Sequence, residues 1–317
     1  MRPSARTFVG GLGLVALIVA TILVLGRFGG DDVEAPTTRT IEVGDAPVTL
    51  AAGEGGIWVA NGGDRTLQKI DPSRGDPVGE PVNLGEFPGS IAIGGGSVWV
   101  GSIQGSSIVR VEPNTITALG EPIQIGETPQ SVAVGDGILW VAAFDEGRIA
   151  RVDLTTGRVI GHPFKTSAKF PAAITWGFGS LWIADVVDNV VLRVDPKTLD
   201  ETRIEVGDSP TFITTGEGAV WVMSFNDHRL LRIDPATDRR SRYVSVGGTP
   251  GGFDVADGYV WITRAEDDFL FRVDATTLRP TGVPAKVGDN PQGVVVDDAG
   301  VAWVADQGDD TVTRVEF

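Results

Sequence analysis

From residue 39 onward the chain alternates short apolar runs with turns rich in Gly, Asp, Pro and Thr. Nowhere in that span do apolar residues recur at helical spacing. The runs repeat as a unit. Tryptophan stands at Trp58, Trp99, Trp140, Trp182, Trp221, Trp261 and Trp303, at intervals of 39 to 42 residues. A proline lies eleven residues before each of the first six, at Pro47, Pro88, Pro129, Pro171, Pro210 and Pro250. Pro291 lies twelve before the last, because "DDAG" lengthens that turn. Lys69, Arg110, Arg151, Arg193, Arg232, Arg272 and Arg314 follow the tryptophans in step. Residues 129–166 show what one unit contains: "PQSVAVGDG" is a strand ending in a hairpin turn and "ILWVAAF" is its return. "RIARVD" is a third strand closed by an Asp-led turn, and "RVIGHPFKT" is a fourth. Four-stranded units of about 40 residues in a closed series make a β-propeller. Seven copies predict seven blades.

The two ends of the repeat predict how the ring closes. The last copy stops after its third strand, "TVTRVEF", and the first is preceded by a spare strand, "RTIEVGD", residues 39–45. That strand should complete the seventh blade and remove an open edge. Each "WVA" strand has a blade on both sides and should be apolar on both faces. The repeated Trp and basic residues are therefore expected to be architecture. Trp176 is the eighth tryptophan and has no counterpart in the other copies.

The N-terminus is of another kind. Thr7–Gly26, "TFVGGLGLVALIVATILVLG", holds no charge, and twenty residues at about 1.5 Å rise span a bilayer's hydrocarbon core. Arg2 and Arg6 precede it, which places that end in the cytoplasm. The expected plan is a cytoplasmic tail (1–6), one transmembrane helix (7–26), a linker (27–38) and an all-β seven-bladed propeller (39–317) outside the membrane. Cleavage of the apolar segment as a signal would release the propeller as a secreted protein. The chain has no cysteine, which excludes disulfides, thiolate metal sites and a cysteine nucleophile. It carries 26 Lys and Arg against 42 Asp and Glu, net −16, and three of the arginines (Arg2, Arg6, Arg27) flank the apolar segment. So acidic a domain repels nucleic acid. Its expected partner is an envelope protein or a small ligand.

Candidate chemistry falls on the propeller face where the fourth strand of one copy leads to the first of the next. Asp45, Glu127, Asp208 and Asp289 recur there and are candidate ligands for a divalent cation, Ca²⁺ or Mg²⁺. Turn chemistry alone also accounts for them. No spacing matches a calcium loop, so no cofactor is fixed by a motif. One copy departs from the rest: "FKTSAKFPAAITW", residues 164–176, loses the turn glycine and gains Lys165 and Lys169 beside Phe170 and Trp176. Two cations and flat aromatic surface on an acidic rim suit a carboxylate-bearing ligand or an acidic peptide. The same features also fit one copy that has drifted and made local salt bridges. His228, in the "FNDHRL" loop, is the other candidate contact. No nucleophile elbow, phosphate loop or dinucleotide fingerprint occurs.

The phrase "P…G-x-x-W-[VI]-[AT]…R-[VI]-D-P-x-T" resembles the virginiamycin B lyase (streptogramin lyase) family of seven-bladed propellers, and more loosely the YVTN and NHL repeat proteins. The resemblance spans residues 39–317. It implies a depsipeptide-opening elimination that uses top-face histidines, a glutamate and Mg²⁺, with one histidine directly after a repeat proline and the glutamate after a Trp strand. This chain has Val48, Gly89, Gln130, Ala172, Thr211, Gly251 and Gln292 at the first position. At the second it has Asn61, Ser102, Ala143, Asp185, Ser224, Arg264 and Asp306. No catalytic residue carries over, and the elimination lacks a proton acceptor. The expected function is a membrane-anchored, extracytoplasmic, non-catalytic module that binds or scaffolds a partner. The alternative is a metal-dependent lyase or lactonase at the acidic channel mouth.

Overall fold

Each innermost strand begins on the repeat proline: Pro47–Gly53, Pro88–Gly94, Pro129–Gly135, Pro171–Gly177, Pro210–Gly216, Pro250–Ala256 and Pro291–Val296. Proline has no N–H to give to a ladder, so the first residue of a strand is where it costs least. The computed structural model describes residues 35–103, 105–126, 128–143 and 147–317. The apolar segment Thr7–Gly26 and the tail before it lie outside them, as does the start of the linker. Among the described residues no helix is long and apolar enough to cross a membrane.

The strands form seven antiparallel sheets, each running outward from its proline-led strand. The innermost strands touch one another in sequence, and Pro291–Val296 touches Pro47–Gly53, so the ring is closed. In blade four the order is Pro171–Gly177, Ser180–Asp185, Val190–Val194 and Glu201–Glu205. Blade two departs from the common plan. Its outer strand is broken into Thr117–Ala118 and Ile123–Gln124, with Gly120 (φ +73°) and Pro122 between them.

Seven hydrophobic clusters fill the seven gaps between neighbouring blades. The Trp-bearing second strand is buried along almost its whole length in each blade. In six blades the indole N–H donates to the carbonyl at the end of the first strand, at 2.9 to 3.2 Å. In the seventh the lengthened turn takes that carbonyl away, and Trp303 donates to the Asp297 carboxylate at 2.9 Å.

The recurring basic residue is the cross-strand partner of the tryptophan in every blade. The cations of Lys69, Arg110, Arg193, Arg272 and Arg314 lie 4.8 to 5.6 Å from the Trp ring centres. Four of the seven reach further, to a carbonyl in the third-to-fourth-strand turn of the next blade: Lys69 to Pro113, Arg110 to Thr155, Arg193 to Pro235 and Arg232 to Ala275. They latch blade to blade. The acid that opens that turn is equally structural. The Ser73 hydroxyl donates to Asp71, and backbone N–H groups of Thr115, Thr156, Thr198, Ala236 and Thr277 donate to Glu112, Asp153, Asp195, Asp234 and Asp274. These bonds favour the ionised form and hold the carboxyls below their usual range, Glu112 at about 2.

Closure is made by Thr37–Glu42, paired over six residues with Thr311–Glu316. The expected strand over 39–45 thus lies two residues earlier and ends sooner. Gly44, Asp45 and Ala46 turn the chain toward the first blade, with Ala46 at φ +50° and its N–H on the Asp310 carboxylate.

Candidate functional site at the channel mouth

The pairing of first and second strands slips directly after each repeat proline, so that one residue is passed over. A bulge of this kind re-aims a side chain. The bulged residues are Val48, Gly89, Gln130, Ala172, Thr211, Gly251 and Gln292, with Gly293 also passed over in the last blade. The first six of these line the central cavity, which has a volume of about 550 Å³. The position after the proline is therefore a mouth position for a structural reason, and its seven occupants are neutral. Deeper in, the wall is built from Ala, Ile, Val and Gly with Phe212, Phe253 and the hydroxyls of Thr49, Ser90, Ser131 and Thr214.

Asp254 is the exception. It is the only ionisable residue on the cavity wall among the described residues. It stands directly opposite Trp261, where the other blades carry Ala51, Ala92, Ala133, Thr175, Thr214 and Val295. Burial pushes its carboxyl up, against hydrogen bonds from the Val296 and Val255 N–H groups at 2.8 Å each. An acid at a position otherwise Ala, Thr or Val is visible once the seven copies are aligned. Its place on the channel wall is not.

The blade-four stretch is strapped at several points. The Thr166 hydroxyl donates to the Gly147 carbonyl at 2.8 Å, and the Ser167 N–H donates to the Glu201 carboxylate. Gly147 sits at φ +63°, and a Cβ there would meet the Ala168 carbonyl at 2.0 Å, so this crossing needs glycine. Buried Asp185 accepts from the N–H groups of Lys169, Phe170 and Val187, which is how the turn is held without its glycine. The Lys169 ammonium lies 2.5 Å from Asp188, which also takes Arg203 at 3.1 Å. Those two cations hold Asp188 below its usual range. Lys165 is exposed on the outer strand opposite Arg148, with no ion pair among the described residues.

The structure thus brings Lys169 and Phe170 together at the rim and separates them from Trp176. That indole lies six positions along the strand and stacks on Trp140, with ring centres 5.5 Å apart and planes 9° apart. Phe164 meets the same Trp140 edge-on at 6.5 Å. Both aromatics belong to the core between blades three and four. His228 occupies the left-handed position before the third strand (φ +49°), a place taken elsewhere by Arg65, Ser106, Gly147, Asn189, Asp268 and Asp310.

The acidic residues of the face cap turns. Asp64, Asp227 and Asp309 accept from the N–H groups of Asp45, Asp208 and Asp289 at 2.8 to 2.9 Å. Glu127 lies outside the described residues. Among those described, no three His, Asp or Glu side chains converge as a metal site would require.

One acid behaves differently. Asp306 is fully buried at the end of its second strand, accepts from the Thr313 and Thr311 hydroxyls, and leaves Oδ1 without a partner. Burial raises it to about 7. The folded protein therefore holds this proton more tightly than the unfolded chain. The stability it contributes is complete below about pH 4 and is lost as pH rises through 7. Asp306→Asn, the residue found at the equivalent Asn61, is expected to gain roughly 1–2 kcal/mol at pH 8 and almost nothing at pH 4. Denaturation midpoints at both pH values check this, and an equal gain at each would remove the titration from the account.

No family model matches the chain, and no curated protein does. Solved structures do. A streptogramin B lyase superposes with a TM-score of 0.77 at 15% identity, covering 89% of this chain and 97% of that one. A catalytically inactive virginiamycin B lyase from Staphylococcus aureus with quinupristin gives 0.76 at 17%, covering 89% and 100%. The fold is that of the virginiamycin B lyase propellers. The WD40 propeller domain of Doa1 follows at 0.73 and 12%, covering 88% and 95%. Likeness at these identities carries architecture and not activity.

Proposed function

We propose that this propeller is a non-catalytic binding module, held on the extracytoplasmic side of a membrane by the apolar N-terminal segment, that recognises a partner at its channel mouth. The observation that carries this reading is the ring of seven bulged residues. Val, Gly, Gln, Ala, Thr, Gly and Gln supply shape, apolar contact and amide hydrogen bonds, and no group able to take a proton at neutral pH. Lys169 and Phe170 border that ring at blade four, with Lys165 on the strand leading to them. They are the rim contacts of the proposal, and Lys165 has no ion pair among the described residues. His228, in the turn before the third strand of blade five, is a further candidate contact on that face. The lyase reading draws support from the fold of the structural neighbours, and would require a proton acceptor and a Mg²⁺ site supplied from elsewhere on the face.

The test is affinity enrichment from solubilised envelopes with the propeller as bait, beside Ala172→Arg and the double variant Lys165→Glu, Lys169→Glu, each first shown to be folded. A partner captured by the parent and lost with Ala172→Arg is the expected result. Loss with the lysine variant as well would extend the contact to blade four. Linearisation of a streptogramin B depsipeptide by the parent protein with Mg²⁺, followed by chromatography, would overturn the non-catalytic reading.

A further inference from the structure

Asp254 is an acid on the wall of a cavity that holds no other described ionisable group, at a position where six other blades carry Ala, Thr or Val. Burial favours its neutral form in the empty channel, and a cation beside it would favour the ionised one. Placing a charge there is costly unless it is compensated. Two backbone N–H groups compensate in part, one from its own strand (Val255) and one from the next blade (Val296). Stapling neighbouring blades does not need a charge. The Ser131 hydroxyl does the same for the Ile174 N–H at 3.1 Å. The acid is therefore more than the staple requires. Each oxygen accepts one of these bonds and keeps further acceptor capacity. Phe212 and Phe253, both half-buried and packed against the core between blades five and six, line the same cavity, so the wall offers aromatic surface and a single acid.

We infer that the channel takes an organic ammonium group, paired with Asp254, whose apolar body lies against Phe212, Phe253 and the aliphatic wall. A lone carboxylate suits such a cation better than a calcium ion, which takes six to eight oxygen ligands. An ammonium donates up to three hydrogen bonds, gains from a nearby aromatic face and brings its own apolar surface. This inference deepens the binding-module reading and rests on it only in treating the channel as a ligand site.

The experiment uses the full-length protein and two probes of one shape, benzylamine and benzyl alcohol, titrated calorimetrically at pH 7. Benzylamine is expected to bind at least about 10-fold more tightly, a difference of about 1.4 kcal/mol. Asp254→Asn should abolish the preference, whereas Ser131→Ala, which removes a staple and keeps the charge, should preserve it. Should Asp254→Asn not fold, Thr214→Lys decides. It places an ammonium on the same wall at the equivalent position of blade five, and should block benzylamine while raising the melting temperature. Equal affinity of the parent for both probes, or a preference that survives either charge-altering variant, would overturn the inference. Neither probe depends on a partner at the mouth, so failure here and failure of the partner enrichment are separate results.

Discussion

A chain that begins at Ala46, without the strand Thr37–Glu42, is expected to melt on the order of 10 °C or more below one that begins at Asp31, both lacking the apolar segment. The same truncation should turn a monodisperse protein into an aggregating one. Six residue pairs with Thr311–Glu316 are lost, and with them the burial of Ile41 against Val312 and Trp303. Burying one isoleucine contributes roughly 2–3 kcal/mol. The backbone N–H and C=O groups of Thr311–Glu316 would then face solvent as an unpaired edge, a template for pairing with another chain. Ile41→Asp in the chain that begins at Asp31 separates packing from strand pairing, because it keeps the backbone and removes the buried side chain. It should give a large part of the loss. Calorimetry and light scattering on both proteins check this, and an unchanged melting temperature in the truncated chain would show that the ring does not depend on its closing strand.

Trp140→Ala is expected to cost about 3–5 kcal/mol. Trp140 is 1% exposed and shares with five other repeat tryptophans the indole N–H bond to the carbonyl ending its first strand, here Gly135 at 3.2 Å. What sets it apart is Trp176 stacked on one side, with Phe164 edge-on at another. Removing it leaves a void that two more aromatics cannot fill without moving. Trp176 is itself held over Gly135, where a Cβ would lie 1.9 Å from its ring, so it has little freedom to collapse inward. Urea denaturation gives the value. A cost below about 1 kcal/mol would mean that the surrounding aromatics repack, and that the stack is not what joins blades three and four.

These expectations divide between what was legible in the chain and what was not. The blade was legible because its signals are local. A proline starts the strand, a hairpin turn follows, and a tryptophan returns eleven or twelve residues later, all within about 40 residues and repeated seven times. Ring closure was legible for a related reason, as a strand missing at one end and spare at the other. Only its limits shifted, at the turn where Ala46 takes a left-handed backbone. Trp176 shows where such reading stops. Its lack of a counterpart set it apart, but its contact is with Trp140, in a different blade, and nothing local points there.

By itself the sequence determined the number of blades, the strands, the closing segment and the structural role of the Trp and Arg series, because short-range pattern and repetition are enough to fix them. The tertiary structure decided which residues meet. Bulges turn the residues after the prolines into the channel mouth, Asp185 holds a turn from below, and Asp254 joins Val296 across 42 residues of chain. Those meetings depend on the register between blades and on the curvature of the closed ring. No stretch of sequence carries that information alone, since each blade's inner face is completed only by its neighbours.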